Sequence, residues 1–306
     1  MRLLITDLHF LPSNVDQRLS ELALAADLHA EPTLPLNAER YTMAFGGSRF
    51  KEWGLEHFKH LRFIQLSMAG YNHLPTQDWL NHGLVLANAK DVFSEPMAEW
   101  IVYHILDVIK RGAEHRAQQA QRQWHRLVNQ ELTQQTAIFY GAGSIAAATA
   151  RKLAAFGVFC VGVNSDGRAQ AQFDACVSFR DSKAFLAKAD IVIMSLPLNE
   201  HTRGAFDAGY VDAIKEGAIF LNVGRGHVVD ETRLVQRLKA GSLAHAALDV
   251  FDQEPLPEDH PLWSLANVTI TPHNSGTSQH TPERLWQLLV ENSYNFVKQK
   301  AIKHRL

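Results

Sequence analysis

The stretch TAIFYGAGSIAAATARKLAAFGVFCVGVNSDGR, residues 136–168, constrains the fold more than any other. An apolar run that reads as a strand meets Gly141 and Gly143 and passes at once into an Ala-rich run that reads as a helix. A second apolar run, VFCVGV, begins about twenty residues after the turn, the spacing of a βαβ unit with two parallel strands and a crossover helix. The first glycine suits the tight turn. The second lets the backbone approach a pyrophosphate, which the helix N-terminus then faces. Ala146 takes the third small position, where one methyl can still pack against the strand. A lone glycine pattern is weak, but here the strand before it, the helix after it and the second strand supply the context of a dinucleotide site. Gly141, Gly143, Ser144 and Ile145 are therefore candidate cofactor contacts. The bland alternative is a Gly-rich turn with no ligand.

The second strand ends on Asn164, where an NAD-binding unit usually has an acid on the ribose 2′-OH. Without that carboxylate a 2′-phosphate is not repelled, and Ser165 and Arg168 can contact it. Asp166 counts against this, and Asn164 can also simply hydrogen-bond an NAD ribose. The loop thus leaves NADP or NAD open and favours NADP.

Strand-like and helix-like runs alternate through the rest of the chain. Before residue 93, RLLITD, YTMAFGG, RFIQLSM and GLVLANA read as strands and NVDQRLSELALAA as an amphipathic helix, which predicts a small parallel α/β domain. SEPMAEWIVYHILDVIKRG reads as a helix capped by Ser94, with Pro96 in its first turn and Gly112 after its end. The polar AEHRAQQAQRQWHRLVNQEL reads as a helical extension and surface connection. From Thr136 a second series predicts strands at AIFY, VFCVGV, CVSF, DIVIMSL, AIFLNV, AHAALDV and NVTIT, several of them continuous apolar runs as in sheets covered on both faces. TPERLWQLLVENSYNFVKQK reads as a closing amphipathic helix, with Thr281 as cap and Pro282 at its first position.

Three strands of the second series finish on residues with chemistry. Arg225 follows AIFLNV, Asp249 ends AHAALDV with Glu254 in the loop beyond, and His273 follows NVTIT. Ligands of open parallel sheets bind beyond the carboxyl ends of the strands. An arginine there grips a carboxylate through two parallel hydrogen bonds. A histidine exchanges a proton, and a neighbouring carboxylate orients it and favours the imidazolium. Singly, each has a bland reading: a surface cation, one of sixteen histidines, a solvated acid in the Pro-rich loop EPLPEDHP. At the strand ends of one nucleotide-binding domain they form a coherent set.

Composition narrows the classes. A net charge of -2 and no Lys/Arg run argue against nucleic acid as a partner. Cys160 and Cys176 form no CxxC pair, and Cys160 lies in an apolar run, so a disulfide framework is not expected. MRLLITDLHF lacks a continuous apolar core and cleavage pattern, and no run of about twenty apolar residues suggests a membrane span. The expected compartment is the cytoplasm.

The blocks GAGSIA, LPLNEHTRG, LNVGRGHVVDE, AALDVFDQEPLPEDHPLW and TPHNSG, in this order, resemble the D-isomer-specific 2-hydroxyacid dehydrogenase family. The resemblance runs from about residue 70 to residue 278. It implies a Rossmann-type cofactor domain, 94–276, inserted into a smaller flavodoxin-like substrate domain, 1–93 and 277–306. It implies reduction of a 2-oxoacid of glyoxylate, hydroxypyruvate or pyruvate type, or bulkier, to the D-2-hydroxyacid by NAD(P)H. Arg225 would bind the substrate carboxylate and keto oxygen, His273 would be the acid/base, and Glu254 its partner. Asp249 would lie near the nicotinamide, and Pro197, Thr202, Val223 and Gly224 match stretches that line the cofactor. Ala69 and Gly70 match the loop whose N–H groups hold the substrate carboxylate. Tyr71, Asn72, Asn274 and Ser275 depart from the family pattern, as do Ala146 and Asn164, so pocket shape does not carry over. Trp124 resembles a position that reaches a neighbouring subunit's site in some relatives, which implies a homodimer. Dinucleotide-sensing corepressors of the same fold are the alternative; the absence of a long polar tail or basic segment disfavours them.

Overall fold

The apolar alternation of the first ninety residues and that of the long second series fold as separate parallel sheets. The computed structural model describes all 306 residues, and the chain divides into one unit of Met1–Phe93 with Thr277–Leu306 and another of Ser94–Gly276.

In the first unit, β1 (Arg2–Ile5), β2 (Ala25–Leu28), β3 (Met43–Phe45), β4 (Phe63–Gln65) and β5 (Val85–Ala87) form a parallel sheet in the order β2-β1-β3-β4-β5. That is the flavodoxin-like order. Helices α1 (Ser48–Trp53) and α2 (Thr76–Asn81) are short, and the C-terminal helix Thr281–Val297 buries Leu285, Trp286 and Leu289 in one of the unit's two core layers. The helix expected over NVDQRLSELALAA is not there. Val15–Glu21 forms 3-10 turns, and Ala25–Leu28 is an edge strand. The exposed edge of β1 takes a partner, and Arg2 fixes the register by donating to both oxygens of Asp27 at 2.6 Å. Backbone pairing and that ion pair outweigh the helical periodicity. The cap of the C-terminal helix also moves: His280 is the N-cap and Thr281 lies inside.

The second unit begins with α3 (Ser94–Ile109) and α4 (Gly112–Ala120). Arg111 in the left-handed region (φ 54°) separates the two, so the polar segment is a new helix rather than an extension. Ser94 lies inside α3, buried, and donates to Ser144 Oγ at 2.9 Å rather than capping its own helix. The series continues with β6 (Thr136–Tyr140), α5 (Ser144–Ala154), β7 (Phe159–Asn164), β8 (Ala175–Ser178), α6 (Lys183–Leu186) and β9 (Ile191–Met194). It ends with α7 (Ala208–Ala213), β10 (Ile219–Asn222), α8 (Glu231–Lys239), β11 (His245–Leu248) and β12 (Val268–Ile270). All neighbouring strands are parallel, in the order β12-β11-β10-β9-β6-β7-β8. This is the Rossmann order with one further strand, its switch point between β6 and β9. The central strands are buried along their length, with separate core layers on the two faces. No helix is long and apolar enough to cross a membrane.

Candidate active site

Because every strand of the second sheet is parallel, residues that follow strands share one edge. Gly141, Pro197, the segment Val223–Arg225, Asp249 and His273 lie on it, after β6, β9, β10, β11 and β12, and Asn164 is the last residue of β7 on the same edge.

The glycine turn is built to receive an anion. Gly141 has φ +100°, and a Cβ there would lie 3.1 Å from the Ser195 backbone. Gly143 is the N-cap of α5; it offers no side chain to the first turn, and a Cβ on it would meet nothing within 4 Å. No acidic residue sits in that turn, and the N–H groups of Ser144 and Ile145 belong to the positive end of the helix dipole, with no side-chain cap on them. Ala146 is fully buried in one core layer with Ile101, Ile105 and Phe139, which explains why Ala serves at the third position. These residues fit the pyrophosphate of a dinucleotide.

Other cofactor candidates sit in braced loops. Thr202 Oγ1 donates to the Pro197 carbonyl at 2.6 Å, closing the loop after β9. Val223 is buried, and Gly224 N–H donates to Asn222 Oδ1 at 3.0 Å. Asn164 braces its own loop: Oδ1 accepts Gly167 N–H at 2.6 Å and Nδ2 donates to the Arg168 carbonyl at 2.8 Å. Arg168 reaches both oxygens of Asp166 at 3.1 Å.

The catalytic candidates meet through the loop after β11. His273 Nδ1 lies 2.8 Å from Glu254 Oε2, and the other oxygen of Glu254 accepts Phe251 N–H at 3.0 Å. With Nδ1–H donating to the carboxylate, Nε2 is the atom left to exchange a proton. His273 has φ 51°, a left-handed conformation held by N–H bonds to the Asp249 and Thr271 carbonyls. Such conformations persist where the surroundings over-determine them. Arg225 donates from Nη1 to the Gly224 carbonyl at 2.7 Å. Burial pushes its guanidinium below the ordinary value, and Glu254 pulls the other way. Gly226, next in the chain, packs on the Phe251–Asp252 peptide, where a Cβ would come within 2.0 Å of the Phe251 carbonyl carbon. The end of β10 and the Glu254 loop are thereby locked together.

Two acids do work that the sequence did not disclose. Asp249 is 1% exposed, and its carboxylate accepts Thr271 Oγ1 (2.5 Å), Asn274 N–H (2.9 Å) and Ser275 N–H (3.0 Å). It clamps both sides of His273. Glu231 accepts Asp252 N–H at 3.1 Å through one oxygen, and His260 Nε2 lies 3.3 Å from the other. It pins the base of the loop that carries Glu254, and burial raises its carboxyl above the usual range. Replacing Asp249 by Asn should destabilise the chain by about 1–3 kcal/mol, because an amide NH2 would face backbone donors that the carboxylate now satisfies. A denaturant midpoint equal to wild type would remove the clamp. Ala69 and Gly70, in the first unit, follow β4 half-buried; Asn88 Nδ2 donates to the Ala69 carbonyl at 3.1 Å.

A parallel sheet with an anion-ready turn and an Arg, Glu and His on one edge defines a dinucleotide-dependent oxidoreductase. Residues 102–275 match the model of the D-isomer specific 2-hydroxyacid dehydrogenase NAD binding domain, and the chain belongs to that family. A glyoxylate/hydroxypyruvate reductase B of Klebsiella pneumoniae is 30% identical over 299 residues, 92% of this chain and 91% of that one. A D-isomer specific 2-hydroxyacid dehydrogenase family protein of Aeromonas salmonicida superposes with a TM-score of 0.85 at 29% identity, covering 100% of this chain and 98% of that one. An NADPH-dependent glyoxylate/hydroxypyruvate reductase of Sinorhizobium meliloti, solved with NADP and sulfate, superposes at 0.84 with 25% identity, covering 100% and 98%. The chain is an NAD(P)-dependent 2-hydroxyacid dehydrogenase, a class that reduces 2-oxoacids.

Proposed function

We propose that this chain reduces a small 2-oxoacid of the glyoxylate or hydroxypyruvate type to the D-2-hydroxyacid, with NADPH preferred to NADH. The observation that carries the reading is the His273–Glu254 pair at 2.8 Å, beyond the strand edge that also bears Arg225. The S. meliloti relative holds NADP, and Asn164 presents no carboxylate to a 2′-phosphate. When bound, the nicotinamide supplies a hydride from C4 to the keto carbon. Gly141, Gly143, Ser144 and Ile145 would hold the pyrophosphate, and the loops of Pro197, Thr202, Val223 and Gly224 would line the rest.

The Arg225 guanidinium pairs with the substrate carboxylate and polarises the keto oxygen. His273, protonated, gives the Nε2 proton to that oxygen as negative charge develops. Glu254 then holds the neutral ring through Nδ1–H, so the tautomer is fixed before and after transfer. Asp249 supports this step from beneath the histidine loop. In the substrate domain, 1–93 and 277–306, the backbone at Ala69 and Gly70 is assigned to the carboxylate.

A panel of glyoxylate, hydroxypyruvate, pyruvate and phenylpyruvate with NADH and NADPH tests the reading. Oxidation of neither cofactor with any of them would overturn it. Glu254→Gln provides a finer test. Glu254 holds Nδ1–H through a charge-assisted bond, so removing its charge should lower kcat for reduction by roughly ten- to hundredfold while NADPH affinity stays at the wild-type value. A wild-type kcat in the variant would return Glu254 to an ordinary loop acid.

We also propose a homodimer. Trp124 is 96% exposed and Val128 88%, an apolar pair on a segment without regular structure. Light scattering should give twice 34.3 kDa, and a monomer mass would refute the assembly.

A further inference from the structure

The loop after β7 has already committed its own cation. Arg168 is tied to Asp166, and the Asn164 side chain is used on Gly167 and Arg168. A second cation leaves the neighbouring strand. Asn164 pairs with Ser178 across β7 and β8, and the chain exits β8 through Phe179, Arg180 and Asp181. A cleft of about 770 Å³ opens there, lined by Ser165, Ser178, Phe179, Arg180, Asp181 and Tyr210.

Charges at this cleft are unequally engaged. Arg180 is exposed and takes part in no ion pair. Asp181 is held back: its Oδ2 accepts from Ser178 Oγ at 2.6 Å, and its N–H donates to the same Oγ at 3.2 Å. Lys183 stands 4.4 Å from the Tyr210 ring centroid and Asp207 accepts the Tyr210 N–H at 3.0 Å, so behind that ring the charges balance, and among the residues that line the cleft Arg180 is the cation and Asp181 the one carboxylate.

A dinucleotide with its pyrophosphate on the α5 N-terminus lays its adenosine ribose over the end of β7. The end of β8 is one strand spacing, about 4.8 Å, further along the sheet. We propose that the Arg180 guanidinium, with the Ser165 hydroxyl in the same cleft, receives the 2′-phosphate of the adenosine ribose, and that Arg180 rather than Arg168 sets the preference for NADP. A planar guanidinium meets a phosphate through two parallel N–H bonds, and an unpaired one does so without first breaking an ion pair. The assignment rests on the dinucleotide reading above and names the phosphate contact within it.

Calorimetric titration of the full chain with adenosine 2′,5′-bisphosphate and with 5′-AMP tests it without catalysis. Wild type should bind the bisphosphate roughly ten- to hundredfold more tightly, the worth of a charge-assisted phosphate contact. Arg180→Gln should abolish that difference and leave 5′-AMP binding intact. Arg180→Lys should retain part of it, and Arg168→Gln should change it no more than a few-fold, as for an exposed ion pair. The ratio of kcat/KM for NADPH over NADH should fall in parallel in Arg180→Gln. Equal loss of both probes would make Arg180 a general adenosine contact and overturn the proposal. An unchanged bisphosphate affinity would do the same, as would a wild type that does not distinguish the probes. A wild type that binds neither adenosine probe nor either dinucleotide would instead overturn the dinucleotide reading itself.

Discussion

Replacing His273 by Asn is expected to leave dinucleotide binding intact and to slow 2-oxoacid reduction by roughly 10²–10⁴-fold, the range for loss of a positioned general acid. Asn suits this position for a structural reason. His273 has φ 51°, and Asn is among the few residues that tolerate the left-handed region. Its amide can still donate to Glu254, and the backbone bonds to the Asp249 and Thr271 carbonyls do not involve the side chain. The clamp from Asp249 onto Thr271, Asn274 and Ser275 also survives. A loss of turnover at constant thermal midpoint and constant NADPH affinity then reports the missing proton. Turnover near that of wild type would take His273 out of the mechanism.

The sheets were legible to different degrees, for one physical reason. In the second unit the central strands are buried on both faces and read as apolar runs bounded by polar turns, while the edge strands β8 and β12 are half-buried. All seven expected strands are present, from Thr136–Tyr140 to Val268–Ile270. In the first unit Ala25–Leu28 is a half-exposed edge, and its run of Leu and Ala carries helical periodicity. Arg2, Arg40 and Tyr41, which all donate to Asp27, and the free edge of β1 make it a strand. Strand ends were readable for the same reason as the strands: Arg225, Asp249 and His273 stand out as the polar residues that stop an apolar run. What each side chain does there was not readable. The carboxylate of Asp249 turns to residues 22 to 26 positions away, and Glu231 meets a backbone N–H 21 positions on. Asn164 shows the limit within a single loop. Its type was informative, since it is no acid, but its amide closes the turn on Gly167 and Arg168. The cation four residues on pairs with Asp166 at 3.1 Å, a contact the residue type at 164 does not announce.

Arg225→Lys is expected to be the most damaging of the conservative changes, through binding and chemistry together. The guanidinium is desolvated, and even below its ordinary value it stays charged at neutral pH, because that value lies so far above neutrality. Its fork can hold the substrate carboxylate and still present an N–H to the keto oxygen. A lysine ammonium is one compact charge on a flexible stem and cannot keep both in place. Loss of a preorganised donor to the developing oxyanion costs roughly 10²–10³ in kcat. A weakened charge-assisted contact to the carboxylate adds roughly ten- to hundredfold in KM. The product is a fall of roughly 10³–10⁵ in kcat/KM for 2-oxoacid reduction. The packing of Gly226 on the Phe251–Asp252 peptide does not depend on the side chain at 225, so the His273–Glu254 pair should survive the change. The two halves of the effect separate in steady-state kinetics. A raised KM with wild-type kcat would confine Arg225 to gripping the carboxylate and require another donor for the keto oxygen. A lowered kcat with unchanged KM would leave the carboxylate to the backbone of the substrate domain, where Ala69 and Gly70 stand. Wild-type values of both would remove Arg225 from the site.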